Sequence, residues 1–429
     1  MPMTSPFFLQ IEKHFETLDD ADPFKSARLS SFASLKKMGL PNKHRENFQY
    51  IPLREFYQHG FKTAAMPNIS LTHFQSAIHP ECLHSYLVFV NGILRLDLSD
   101  TSNLKEIVLL NLPEAAKSYG SFLKQRLNTF VTQEKDPFAL LNLSLHTGGA
   151  FLFVPPKLEL KTPIQCIHIL TSDEKHPVFA APRVHLNLGA HASLTWIHSS
   201  ISLISNAWFN GLLDVSIEEG ARLKTIHLIQ PQNDTWHFES LRATLKKDAK
   251  LESISVTTGS KTVRQDYSIA LAGEGSSASL QGIAMLKNHA QAHAHILMDH
   301  QAPNTHSMQL FKGILSDSSR SSFEGKIHVH PEAQKTEAYQ LNKHMILDES
   351  ALAYSKPNLE IFADDVKASH GATVTQIDPT QLFYLKTRGI DEALGKQLLI
   401  SGFCQEILTQ IPYPSIGSVL QSLLKTYRL

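Results

Sequence analysis

The chain has 429 residues, and a single compact hydrophobic core is usually smaller than this. Two or three domains, or one elongated repeat domain, are therefore expected. Lysine plus arginine and aspartate plus glutamate both number 40, which excludes the strong basic excess typical of nucleic-acid-binding proteins. Charged residues interrupt every apolar stretch well before the roughly 20 residues that span a bilayer, so no membrane segment is expected.

The N-terminal residues indicate the cellular location of the protein, and the cysteines indicate its redox chemistry. No basic start followed by an apolar block is present, so a secretory signal is not expected and a cytoplasmic location follows. Cys82, Cys166 and Cys404 lie far apart and form no CxxC clip. Neither a disulfide framework nor a self-contained metal–thiolate site is therefore predicted, and each cysteine is expected to be a small buried hydrophobe.

The first part of the chain, residues 1–150, is predicted to be helical and mixed in structure. Asp22-Pro23 is a helix-start signal, and Gly39 is expected to end that helix. Further on, Asn91-Gly92 stands between two short apolar stretches, which is a strong signal for a β-hairpin.

The middle part, residues 151–377, changes to short apolar–polar alternations separated by small-residue turns. Turn marks fall at positions 189, 220, 248 and 275, with steps of 31, 28 and 27 residues. A loosely fixed period of strand, turn and strand indicates a repeat of stacked coils. A β-sandwich also gives many short strands, but this alternation lasts roughly twice as long as an ordinary ~100-residue sandwich, which favours a parallel β-helix.

The end of the chain, residues 378–429, is predicted to be helical again. Asp378-Pro379 and Asp391 are helix-start signals, and apolar residues then recur at helical spacing. Amphipathic terminal helices either cap a repeat body or dock a partner, and the residues leave both roles open.

The stretch Leu359–Thr375 contains the main candidate site. It joins an apolar strand to Asp364-Asp365 and then to Ser369–Thr373, which is predicted to be a compact turn that carries His370. A histidine held on such a turn is a candidate metal or proton site, and Asp364, Asp365 or Ser369 are candidates for orienting its ring. The alternative is that His370 hydrogen-bonds within the turn and contacts no metal.

Three other motifs are assigned structural roles. Asp364 and Asp365 are adjacent, so on a strand they point to opposite faces and cannot easily share a substrate. The pairs His293-x-His295 and His328-x-His330 suit zinc in spacing, but neither has an obvious third ligand nearby, so a polar outer face is favoured. Gly389–Lys396 has the wrong spacing for a phosphate loop, so any ATP hydrolysis must come from a partner.

Several separated motifs stand in order along the chain: Gly39–Pro41, Tyr50–Leu53, Asp136–Ala139, Gly149–Pro155, Phe311–Leu347, Lys356–Val374 and Leu382–Ile390. Together they resemble the SufB/SufD family of the SUF iron–sulfur cluster assembly scaffold, and the sequence around residue 370 resembles the SufD branch more closely.

This resemblance implies a right-handed parallel β-helix core between N-terminal and C-terminal helical regions. It implies a non-catalytic scaffold that pairs with SufB, and C-terminal helices that dock the SufC ATPase. A homodimer is expected to be possible without SufB. The alternatives kept open are a carbohydrate-active β-helix enzyme and a stand-alone metal-binding protein.

The resemblance also assigns a role to His370. It matches the family histidine at the SufB–SufD interface, so a transient iron or iron–sulfur cluster shared with SufB is expected there, with no cofactor bound stably by the isolated chain. Ala368 stands where the family often has cysteine. The thiols for such a site are therefore expected to come from the partner.

Overall fold

The computed structural model describes residues 6–16, 19–63, 69–172, 176–230 and 234–426. The helices are α1 (Pro6–Glu16), α2 (Lys25–Met38), α3 (Leu53–Phe56), α4 (Leu112–Ser118), α5 (Gly120–Gln133), α6 (Pro137–Leu145), α7 (Pro379–Thr387), α8 (Glu392–Leu408) and α9 (Pro414–Lys425). Within the described residues, the helices lie before and after a long run of strands.

The strands are β1 (Lys62–Thr63), β2 (Tyr86–Val90), β3 (Ile93–Leu94), β4 (Val108–Asn111), β5 (Gly148–Val154), β6 (Ile164–Leu170), β7 (Val178–Ala180), β8 (Pro182–Leu188), β9 (Ser193–Ser202), β10 (Ala207–Ile217), β11 (Arg222–Ile229), β12 (Thr235–Leu245), β13 (Lys250–Thr257), β14 (Thr262–Leu271), β15 (Ser277–Leu286), β16 (Gln291–His300), β17 (His306–Leu315), β18 (Arg320–Val329), β19 (Thr336–Ile346), β20 (Leu352–Ile361) and β21 (Val366–Thr375).

The strands build a β-solenoid of about seven turns. From β9 onward each strand enters the sheet opposite to that of the strand before it, and it pairs in parallel with the strand two positions away. Sheet 1 has the order β20-β18-β16-β14-β12-β10-β8-β5-β4, and sheet 2 has the order β21-β19-β17-β15-β13-β11-β9-β6-β2-β3. The predicted parallel β-helix core between helical regions is confirmed, and the β-sandwich is excluded.

Stacked turns along one edge explain the sequence period. In successive coils one residue has a positive φ, and its backbone N–H donates to a carbonyl in the turn of the next coil. These residues are His191, Gly220, Asp248, Gly275, Asn304 and Lys335. Three of the four predicted turn marks are among them, and Gly189 lies two residues before the first. Glycine or a short polar residue suits this left-handed backbone.

Local signals in the first part of the chain are also confirmed. Gly39 ends α2 with φ 75°, although the helix begins at Lys25, two residues after Pro23. The hairpin forms between β2 and β3, where Val90 pairs with Ile93 in antiparallel fashion around Asn91 and Gly92. Since β2 also pairs in parallel with β6, sheet 2 includes residues that belong to the region 1–150. The division at residues 150 and 377 stays a prediction.

The N-terminal helices cover the outer face of sheet 1. Aromatic side chains from α1 and α3 pack on Trp208 and Trp236, which project outward from β10 and β12. Beside them, Asp136 at the start of α6 forms an ion pair of 2.5 Å with the buried Arg264 of β14. Apolar packing and buried charge pairing together attach this region to the solenoid.

The C-terminal helices cover the outer face of sheet 2. Ile400 and Ile407 of α8 and Leu420 of α9 belong to one apolar cluster with Ile226 and Ile254 of the sheet. No helix among the described residues is long and apolar enough to cross a membrane.

Candidate functional site at the open end of the solenoid

The last coil of the solenoid consists of β20 and β21, and each stands at the end of its sheet. β21 pairs with β19 from Val366 opposite Thr336 to Thr375 opposite Met345. The prediction of a compact turn at Ser369–Thr373 is therefore wrong, because these residues lie in the middle of a regular strand. Serine, glycine and alanine favour turns locally, but the pairing with β19 overrides that preference.

His370 lies on the inner face of β21. Val366 and Ala368 pack against the interior core, and side chains alternate along a strand, so position 370 shares their face. Its register partner on β19 is Gln340, which is 2% exposed. His370 itself is exposed, because no further coil covers this end.

Gln340 is a further candidate site residue, which the sequence alone does not indicate. Its Nε2 donates to Gln309 Oε1 at 2.9 Å, while its Oε1 is buried and has no hydrogen-bond partner among the described residues. It therefore offers an unpaired acceptor directly beneath the strand that carries His370. A glutamine in an alternating strand carries no special signal, so only the register between coils reveals it.

The other predicted site residues do not surround the ring of His370. Asp364 and Asp365 lie in the turn before β21, where the Asp365 N–H donates to Gln334 Oε1 at 3.0 Å. Asp365 is five positions from His370, which along an extended strand is about 16 Å. Ser369 is adjacent to His370, and its side chain points to the opposite face.

No thiol lies at this site among the described residues. Cys82, Cys166 and Cys404 are all buried and free, as the sequence predicts. Burial raises the pKa of the Cys82 and Cys404 thiols to about 12, and it raises the pKa of Cys166 as well. These thiols are therefore protonated and poor metal ligands.

Two groups of side chains among the described residues come close enough to hold a metal ion, and neither includes His370. One lies on the outer face of sheet 1, where Asp299 Oδ1 is 2.7 Å from His328 Nδ1 and 3.0 Å from His330 Nε2. The expectation that His328-x-His330 lacks a nearby third ligand is therefore wrong, because the adjacent strand β16 supplies Asp299. The second group is His198, His237 and Glu239, inside the solenoid.

The helices α7 and α8 present a second exposed surface. Phe383 and Tyr384 of α7 are 67% and 57% exposed, and Leu394 and Leu398 of α8 are both 45% exposed. Between the helices, the Asp391 carboxylate accepts a hydrogen bond from Leu394 N at 2.9 Å and caps α8. The segment Gly389–Lys396 is thus a helix junction, in agreement with its rejection as a phosphate loop.

Comparison with protein families accounts for nearly the whole chain. The model of the SUF system FeS cluster assembly SufBD core domain matches residues 168–403, and the model of the SufBD protein N-terminal region matches residues 7–166. The chain belongs to the SufBD family. The resemblance of the separated sequence motifs to this family is thereby confirmed.

Several relatives of this SufBD protein are named as iron–sulfur cluster assembly proteins. It is similar to an iron–sulfur cluster assembly SufBD family protein of Synechocystis, with 28% identity over 90% of this chain and 87% of the relative. It is similar to the iron–sulfur cluster assembly protein SufD of Escherichia coli, with 30% identity over 87% of this chain and 86% of the relative. A SufBD family protein of Mycobacterium leprae is 34% identical over 47% of this chain and 53% of the relative.

Proposed function

We propose that this SufBD protein is a non-catalytic scaffold subunit of the SufD type, which assembles iron–sulfur clusters together with SufB and the SufC ATPase. The observation that carries the proposal is the uncapped end of the solenoid, where His370 lies on the inner face of a terminal strand with one free edge. Because the chain belongs to the SufBD family, the process that we assign to this end is iron–sulfur cluster assembly.

The two terminal strands differ in their ability to accept a partner strand. A strand at the end of a sheet presents unpaired backbone N–H and C=O groups on its free side. β20 contains Pro357, which lacks an N–H, whereas β21 contains no proline. We assign β21 as the strand to which a strand of SufB adds. The same edge would be free to pair with a second copy of this chain in the absence of SufB.

His370 would bind iron or the nascent cluster as cargo, jointly with thiolates from SufB. Imidazole and thiolate are both ligands of iron in proteins. Since the cysteines of this chain are buried and protonated, the isolated chain would hold no cluster stably. Asp364, Asp365 and Ser369 remain candidates for a role only in the assembled complex.

The exposed apolar side chains of α7 and α8 are the proposed docking surface for SufC. Phe383 and Tyr384 expose most of their rings, and large exposed hydrophobic groups that cluster on a surface typically mark interaction sites. ATP hydrolysis in SufC would then move α8, which packs on sheet 2. The complex is proposed to act in the cytoplasm.

Co-purification tests this proposal. The tagged chain, expressed with SufB and SufC, should retain both proteins through a size-exclusion step. Removal of the rings by Phe383→Ala and Tyr384→Ala should release SufC and leave SufB bound. If the wild-type chain elutes alone, without either protein, the scaffold proposal fails.

A further inference from the structure

A group of buried titratable side chains lies inside the solenoid, away from the open end. His198 on β9 and His227 on β11 are register partners on adjacent strands of sheet 2. His237 and Glu239 face them from β12 in sheet 1. All four residues are at most 6% exposed.

Glu239 is the centre of this group. Its Oε1 accepts a hydrogen bond from His227 Nδ1 and lies 3.7 Å from His198 Nδ1. Its Oε2 lies 3.5 Å from His237 Nε2. One nitrogen or oxygen from each of His198, His237 and Glu239 falls within 4.8 Å of the others.

Glu239 is a buried carboxylate with imidazole nitrogens close to both of its oxygens. A buried carboxylate requires a cation nearby, because an unpaired charge in the protein interior is very costly.

An ion pair with one protonated imidazole would use only part of the group. A single histidine is enough to neutralise Glu239, yet three imidazoles surround it. The Nε2 atoms of His198 and His227 are buried and have no hydrogen-bond partner among the described residues. Beside His198 and Glu239 there is also a cavity of about 20 Å³, which is large enough for one water molecule.

We propose that His198, His237 and Glu239 bind one divalent first-row transition metal ion, of the zinc or iron(II) class, inside the solenoid. Imidazole nitrogens and a carboxylate oxygen are a ligand set that these ions favour. The cavity provides room for a water molecule as a further ligand. His227, through its hydrogen bond to Glu239, fixes the orientation of the carboxylate, as outer groups commonly do around metal ligands.

This ion is distinct from the cluster proposed at His370, and its presence does not depend on the proposed function. Its ligands come from β9 in sheet 2 and from β12 in sheet 1. The ion would therefore link the two sheets across the interior, at a point where the apolar core gives way to polar side chains.

The test uses a variant of the full chain in which the other potential metal site, formed on the outer face of sheet 1 by Asp299, His328 and His330, has been removed. His328→Gln with His330→Gln removes the histidines beside Asp299 and leaves the interior unchanged. This protein is produced in medium supplemented with cobalt(II), dialysed against EDTA and analysed for metal. We expect about one ion per chain, with the visible absorption of cobalt in a low-symmetry site. Retention of less than about a tenth of an ion would overturn the proposal.

The interior variant adds His198→Gln and His237→Gln to the same background. We expect it to retain at least about tenfold less cobalt, and equal retention would overturn the assignment of the ligands. Should this variant fail to melt cooperatively, X-ray absorption of the background protein decides. A shell of nitrogen and oxygen with two imidazoles supports the site, whereas a sulfur shell, as from Cys166, or a shell without imidazole contradicts it.

Discussion

At the scale of the residue, the position of His370 depends on the strand below it. On β19, the register partner of His370 is the buried Gln340, whose Oε1 has no hydrogen-bond partner in the part of the chain that the structure describes. The Nε2 of Gln340 is in turn hydrogen-bonded to Gln309 in the preceding coil. A histidine N–H that donates to the Oε1 of Gln340 would fix the tautomer and leave the other nitrogen free for iron. We therefore assign Gln340 as a positioning residue for His370.

The variant Gln340→Leu tests that assignment. Leucine keeps most of the volume but removes the acceptor, so we expect cluster yield on the assembled complex to fall about tenfold. The matched control is Gln265→Leu, another buried glutamine that lies on β14. An equal loss in both variants would indicate a general packing defect and would reject the role of Gln340.

At the scale of the element, β21 is a strand whose free side needs protection or a partner. Exposed terminal strands are usually blocked by proline, by inward-pointing charges or by a covering segment. β21 carries a single charged residue, Lys367, which is paired with Glu337 at 2.9 Å on the side away from the interior. Val374 on the inner face is 48% exposed. The strand is thus suited to pairing with another chain.

A charge on the inner face of β21 should prevent that pairing. We expect Val374→Lys to leave the thermal stability of the isolated chain unchanged, because the position is exposed. Affinity for SufB should fall at least about tenfold, since the added ammonium would be buried without a partner. Val419→Lys, at a 39% exposed valine on α9, is the matched control. Unchanged SufB affinity in Val374→Lys, measured by calorimetry, would exclude β21 from the interface.

The elements also show where sequence reasoning succeeds and where it fails. Gly220, Asp248, Gly275 and Asn91-Gly92 were predictable because a turn is specified by the residues within it. The strand through His370 was missed because its structure is imposed by β19, about 30 residues earlier in the chain.

The interior group was missed for a related reason. His198 and His227 are separated by 29 positions, which is about the length of one coil. The spacing of the turns in the sequence therefore indicates that these two residues stack on adjacent coils. Nothing local indicates that His237 and Glu239 face them from the other sheet. The fold class was therefore accessible from the sequence, whereas most of the site geometry depends on register between coils.

At the scale of the whole molecule, buried histidines make folding sensitive to acid. Burial lowers the pKa of His185 and His344 to about 4 and that of His293 to about 3, from an ordinary value of 6.5. Between about pH 4 and pH 6.5 the unfolded chain therefore binds more protons than the folded chain. The stability is fully present above pH 6.5 and is lost as the pH falls through this window.

The variant His344→Gln should reduce this dependence. Each such histidine contributes up to about 1.4 kcal/mol per pH unit to the slope of the unfolding free energy, and the variant removes one. Denaturant unfolding at intervals between pH 4.5 and pH 7, over the window set by these pKa values, measures the slope. His289→Gln, at an exposed turn residue, is the control and should keep the wild-type slope. An unchanged slope in His344→Gln would show that this ring is not neutral in the folded chain.

The most direct test of the account is cluster formation on the assembled complex with His370→Ala. Because His370 is exposed at the open end, the variant should still fold and co-purify with SufB and SufC in wild-type proportions. Iron content and cluster absorbance after reconstitution should fall at least about tenfold, while His289→Ala should match the wild type. Wild-type iron content and cluster yield in His370→Ala, with the complex intact, would contradict the assignment of this end of the solenoid as the shared assembly site.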